Sequence, residues 1–159
     1  TGKLYAWENI DGKPDVLTSA KGLGGGLPVG ACLATEKFGS TLTAGTHGTT
    51  FGGNPVVLAG AIEILNRIDD EFLKSVREKG EYIKNKVIAF NDVSEVRGMG
   101  LMIGVDLKTK KAADVAARCV ENGLLILTAK QSLRMLPPLT VTENEIDKGL
   151  EILKNVLAE

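Results

Sequence analysis

Three stretches of the sequence hold residues whose types and spacing can do chemistry. The first is Ser19-Ala20-Lys21-Gly22-Leu23-Gly24-Gly25-Gly26-Leu27-Pro28, a lysine just after a short apolar run and just ahead of a run of glycines. Glycines let a backbone approach a ligand closely and adopt positive φ. A lysine held away from water has a lowered pKa and becomes a competent amine nucleophile. The stretch is not a nucleotide P-loop, because that motif needs Gly-Lys-Ser/Thr leading into a helix and here the lysine precedes the glycines. On spacing alone, a surface turn carrying a solvated lysine is the stronger reading.

The second stretch is Gly45-Thr46-His47-Gly48-Thr49-Thr50-Phe51-Gly52-Gly53-Asn54-Pro55. The adjacent hydroxyls of Thr49 and Thr50, set among glycines before a helix start, form a candidate anion site, since hydroxyls and unpaired N–H groups both donate to phosphate. An ordinary polar loop entering a capped helix accounts for the same residues. The third is Arg134 in Ser132-Leu133-Arg134-Met135-Leu136-Pro137-Pro138-Leu139. A guanidinium in a short apolar strand can grip a carboxylate bidentately, although alternation also permits a side chain turned to solvent.

The elements that must position these residues follow from pattern. Asn9-Ile10-Asp11-Gly12-Lys13-Pro14 reads as a turn, residues 16–18 as a short strand, 22–28 as an irregular glycine loop and 29–34 as a strand buried on both faces. Residues 39–54 are loop. Asn54 caps a helix whose first residue is Pro55, and its near-continuous apolar character over 56–68 predicts deep burial. Asp69 or Asp70 caps a second helix to about residue 90, with Phe72, Leu73, Val76, Ile83 and Val87 on one face. Strands are expected at 93–96 and 101–107, separated by Arg97-Gly98-Met99-Gly100, with Arg97 structural. A helix over 111–122 is stopped by Gly123, and strands follow at 124–127 and 133–136. Thr142-Glu143-Asn144-Glu145 is a capping box for a last helix carrying Ile146, Leu150, Leu153 and Leu157.

Composition excludes several classes. Lys plus Arg is 19 against 20 for Asp plus Glu, so nothing draws the chain to nucleic acid or an anionic membrane. No apolar run is long enough for a bilayer and no signal-peptide pattern opens the sequence, which points to the cytoplasm. Cys32 and Cys119 sit apart among apolar neighbours with no metal spacing, and read as buried free thiols.

The segment Pro14-Asp15-Val16-Leu17-Thr18-Ser19-Ala20-Lys21-Gly22-Leu23-Gly24-Gly25-Gly26-Leu27-Pro28-Val29-Gly30-Ala31 closely resembles the cofactor-lysine segment of the class III (subgroup II) aminotransferases. The resemblance implies that Lys21 carries pyridoxal 5'-phosphate covalently through its amine. Residues 47–55 resemble the family's H-G-[ST]-T-[FY]-G-G-N-P motif. That match implies that Thr50, with Thr49 as the alternative, reaches the cofactor phosphate of the partner subunit in a homodimer, and that His47 is structural. Residues 134–139 resemble R-x-x-P-P-L, which implies that Arg134 holds the substrate carboxylate. Residues 124–152, including Leu127-Thr128-Ala129, look closest to the branch acting on N-acetylornithine in arginine biosynthesis. The ornithine, succinylornithine and 4-aminobutyrate branches share the lysine and threonine motifs.

The implied fold is α/β: the edge of the large domain of a fold-type I transferase, residues 1–45, then an interface loop and linking helix, 46–69, then a small C-terminal α/β domain with a largely antiparallel sheet, 70–159. The implied reaction is ping-pong transamination from N-acetylornithine to 2-oxoglutarate, the ring acting as electron sink and Lys21 shuttling the proton. The opening Thr1-Gly2-Lys3 reads as an excerpt of a longer chain, because the family's D-E-[VI]-Q acid, the stacking aromatic and the phosphate loop would all precede it. The expectation is that these 159 residues alone do not turn over, and transaminase activity in the purified chain would overturn it. Two other classes fit parts of the pattern. One is a non-catalytic structural domain, marked by rapid proteolytic trimming of its N-terminal region. The other is a different phosphate-binding module, resting on the glycine loops alone.

Overall fold

The computed structural model describes residues 1–159. Contacts between residues separate the chain into two units, Leu4–Phe72 and Leu73–Glu159, the second joined by Thr1–Lys3.

In the first unit, strand β1 (Val16–Ser19) pairs antiparallel with β2 (Ala31–Ala34), Val16 opposite Ala34 and Ser19 opposite Ala31. The chain between them is a 3-10 turn, Lys21–Gly24, closed by Gly25 in the left-handed region at φ +59°. This replaces the irregular loop expected over 22–28. A short helix α1 (Glu36–Gly39) follows, its entry fixed by Thr35, which donates backbone N–H and hydroxyl to Asp15 at 2.9 and 3.3 Å. Helix α2 (Pro55–Asn66) begins as the sequence predicts, with Asn54 Oδ1 accepting the N–H groups of Val56 and Val57 at 3.0 and 3.3 Å.

Burial in this unit differs from expectation. Strand β2 is not buried on both faces: Cys32 and Leu33 are exposed, because its sheet has two strands and neither face is covered in full. Helix α2 is not deeply buried either. Val56 and Ile62 are 71% and 59% exposed, and only Ala61 is buried. Its packing partner is the glycine turn, where Gly25 lies against Ile64 and Gly60 against Leu27.

The second unit matches its pattern more closely. Asp69 Oδ1 accepts from Phe72 N at 2.8 Å and starts helix α3 (Asp70–Val87), which buries Val76, Gly80, Ile83 and Val87 on one face. Strands β3 (Val93–Met99) and β4 (Met102–Leu107) form a hairpin that is tighter than expected. Arg97 lies within β3, not in a connection, because Gly98 takes φ +133° and Met99 still pairs with Met102. Helix α4 (Ala112–Glu121) ends before Gly123 at φ +89°. Strand β5 (Leu127–Ala129) starts later than the apolar run 124–127 suggested, and β6 (Ser132–Met135) precedes Pro137 and Pro138. The capping box at Thr142 and Glu145 opens helix α5 (Glu143–Ala158).

The sheet order is β3-β4-β6-β5, antiparallel throughout. Ile103, Val105 and Leu133 are 0–1% exposed and point to one face, where α4 packs on β5, β6 and α5. The α3 backbone comes close at Gly80, where a Cβ would meet the Gly100 carbonyl oxygen at 2.2 Å. Alternation sends Arg97, Gly104, Asp106, Ser132 and Arg134 to the other face.

Candidate functional site

Lys21 opens the 3-10 turn with φ +56°, one of three non-glycine residues at positive φ. A side chain held there costs about 1–2 kcal/mol, and such strain collects at sites where geometry serves function. The residue is exposed and its amine takes part in none of the ion pairs of the first unit, which join Lys37 to Asp15 and Arg67 to Glu63. Gly22 and Gly26 have nothing within 4 Å of where a Cβ would stand, so the turn is uncrowded at these two positions. A Cβ on Gly25 would meet the Ile64 side chain at 2.8 Å, which seats the turn on α2.

Thr49 and Thr50 are exposed in the turn that delivers the chain to α2. The helix terminus itself has little to give an anion: Pro55 has no N–H, and Asn54 takes those of Val56 and Val57. The donors this loop can offer an anion are therefore the threonine hydroxyls and loop N–H groups, not the end of the helix. His47 is exposed in the same loop. Lys21 and the two threonines thus share α2 as support. The threonines lie before its first turn, and the lysine turn packs at Gly60 and Ile64, the latter about 13 Å along the helix at 1.5 Å per residue.

Arg134 belongs to the second unit. It stands on β6 opposite Gly104 of β4 and Leu127 of β5. Its Nε is fully buried without a hydrogen-bond partner, a situation that favours an incoming acceptor because an unpaired buried donor is expensive. A cleft of about 550 Å³ lies over this face and includes Arg97, Gly104, Ser132 and Arg134.

The same face carries a network that the sequence reading did not single out. Arg97 binds Asp106 through both terminal nitrogens, with Nη2 to Oδ1 at 3.1 Å, and Nη2 also donates to Ser132 Oγ at 2.9 Å. Ser132 Oγ in turn donates to Asp106. The Arg97 guanidinium, then the Ser132 hydroxyl, hold the Asp106 carboxyl below its usual range, and Asp106 pushes Arg97 upward. The available signal was Asp106 itself, a carboxylate in the strand run Ile103-Gly104-Val105-Asp106-Leu107.

The aminotransferase class-III profile matches residues 1–157. Over its whole length the chain is 42% identical to the acetylornithine aminotransferase of Haemophilus ducreyi, covering 41% of that protein. Among solved structures, N-acetylornithine aminotransferase from Stenotrophomonas maltophilia superposes with a TM-score of 0.88 at 34% identity, over 99% of this chain and 43% of that one. The ornithine aminotransferase of Toxoplasma gondii ME49 gives a TM-score of 0.88 at 28% identity, over 99% and 40%. The chain spans about two-fifths of the length of these relatives.

Proposed function

This chain belongs to the class-III aminotransferases, and from that premise we propose that the protein transfers an amino group from N-acetylornithine to 2-oxoglutarate, a step of arginine biosynthesis, with pyridoxal 5'-phosphate as cofactor. The observation that carries the reading is Lys21, a strained, exposed lysine in a glycine-lined turn. The cofactor supplies an electron sink for the carbon that loses its proton. Lys21 Nζ would hold the cofactor through its aldehyde carbon, and the same amine, once released, would be the base that takes and returns the substrate proton. The Thr50 hydroxyl, or that of Thr49, donates to the phosphate held by a partner subunit in a homodimer. Arg134 holds a substrate carboxylate through its guanidinium, the Nε supplying one donor of the fork.

The cytoplasm is the proposed setting, and no helix is long and apolar enough to cross a membrane. The likeness to the Toxoplasma gondii ornithine aminotransferase supports a second reading, in which ornithine is the amino donor.

Borohydride trapping with pyridoxal 5'-phosphate, followed by peptide mass spectrometry, tests the central role. The expected result, on a chain that also carries the family's D-E-[VI]-Q, stacking-aromatic and phosphate-loop segments, is one adduct per chain, on Lys21, lost in Lys21→Ala. Adducts scattered over other lysines and unchanged in that variant would overturn the assignment.

A further inference from the structure

The residues on the open face of the four-stranded sheet raise a question of competition. Arg97 on β3 and Arg134 on β6 both stand directly opposite Gly104 of β4, one on each side. Asp106, two residues along β4, is on the same face and diagonal to both. Diagonal neighbours lie about 7–8 Å apart, within reach of long side chains. One carboxylate therefore has two arginines available to it, and it binds Arg97 bidentately. Ser132, 7% exposed and two residues before Arg134 on β6, secures the choice by accepting from Arg97 and donating to Asp106. Glu95, 3.8 Å from Arg97, adds a second carboxylate on that side. Arg134 is left with a buried, unpartnered Nε.

We propose that Arg97 and Ser132 are positioning residues that sequester Asp106, so that Arg134 stays unpaired and available to a ligand carboxylate. The proposal rests on the reading of Arg134 as the carboxylate anchor and deepens it. Arg97 does not serve as a second anchor, since its guanidinium is already committed to Asp106, Ser132 and Glu95. Without Arg97, Arg134 is the remaining arginine diagonal to Asp106 on this face, and an intramolecular ion pair there would compete with any ligand. Gly104 carries no side chain between the arginines: the three atoms nearest a Cβ at that position all belong to the Arg97 side chain, the first at 3.7 Å.

The test uses side-chain NMR of the 159-residue chain, following the Arg134 Nε–H signal, with 2-oxoglutarate as probe. In the parent chain, 2-oxoglutarate should shift that signal, and Arg134→Lys should abolish the binding. Arg97→Gln should shift the signal before any ligand is added and weaken 2-oxoglutarate roughly fivefold, the factor of an ion pair worth about 1 kcal/mol. Adding Asp106→Asn to Arg97→Gln should restore both the signal and the affinity, because the competitor is gone. A purely structural role predicts the reverse, since the double variant would then be worse than the single one. Ser132→Ala should give a smaller effect in the same direction, and Ser132→Thr should rescue it. An Arg134 signal unchanged by Arg97→Gln, or a double variant no better than the single one, would overturn the proposal. A parent chain whose Arg134 signal ignores 2-oxoglutarate would instead overturn the reading of Arg134 as anchor, and that outcome is visible without any variant.

Discussion

Cys119 is fully buried on α4 and burial pushes its thiol upward, whereas Cys32 is exposed on β2. Since the thiolate is the reactive form, iodoacetamide on the native chain should alkylate Cys32 and spare Cys119 until denaturant is added. Equal labelling of both, read by peptide mass spectrometry, would contradict the burial. Sequence reasoning placed both thiols inside because both have apolar neighbours, and it was right for only one. Lys21 is a different case. Its proposed role was suggested by the resemblance of residues 14–31, yet its positive φ, shared with Asp92 and Lys130, could not be read from residue types. The bracket around Arg134 was less legible still, because Arg97, Asp106 and Ser132 lie on three strands and meet only through register.

At the scale of elements, close backbone approach sets the limits in the second unit. A Cβ on Gly80 would sit 2.2 Å from the Gly100 carbonyl oxygen, and backbone cannot swing aside as a side chain does. Gly80→Ala should therefore destabilise the chain by about 1–3 kcal/mol, the range of overpacking substitutions, despite alanine's better helix propensity. Leu133→Ala, at a side chain with no exposed area, should cost about 2–5 kcal/mol through lost contacts and a cavity. Urea unfolding measures both, and a Gly80→Ala variant as stable as the parent would mean that α3 and the hairpin do not meet there. Helix starts were legible, since Asn54, Asp69 and Thr142 cap as their chemistry suggests. The β3–β4 hairpin was mis-bounded, because its glycines extend pairing by adopting positive φ where the sequence suggested a loop.

At the scale of the whole molecule, pH should act mainly through the second unit. Its carboxyls Asp92, Asp106, Glu145 and Asp147 are all held below their usual range, chiefly by Thr109, Arg97, the Thr142 backbone N–H and Lys86 respectively. A folded pKa below the unfolded one contributes stability fully above the unfolded value, about 4, and loses it as pH falls through the folded value. Lys86 is raised, first by Asp147 and then by Tyr82. Its contribution is complete below about pH 10.4 and disappears as pH rises further. The urea midpoint should thus fall on the acid side as these carboxyls protonate. It should fall on the alkaline side first as the buried Cys119 thiol ionises in the unfolded chain from about pH 8.5 and then as the Lys86 contribution is lost, and Asp147→Asn should reduce only the latter. An acid limb unchanged by Asp106→Asn would show that the Arg97 pair adds nothing to stability.

The motifs around Lys21, Thr50 and Arg134 were legible only as a family resemblance, while the sequence by itself determined the local, namely where helices start and which residues of α3 and α5 face inward. Those properties depend on side-chain type and on periods of 3.6 and 2, which a linear reading contains. Only the tertiary structure decided what covers what. The apolar run of α2 predicted burial, yet Val56 and Ile62 stay exposed, because hydrophobicity states a preference for contact and the neighbours available in the fold determine whether it is met. The same holds for charge: strand register brings Arg97, Arg134 and Asp106 to one face, and the contacts of Ser132 and Glu95 with Arg97 accompany the pairing that leaves the Arg134 Nε without a partner.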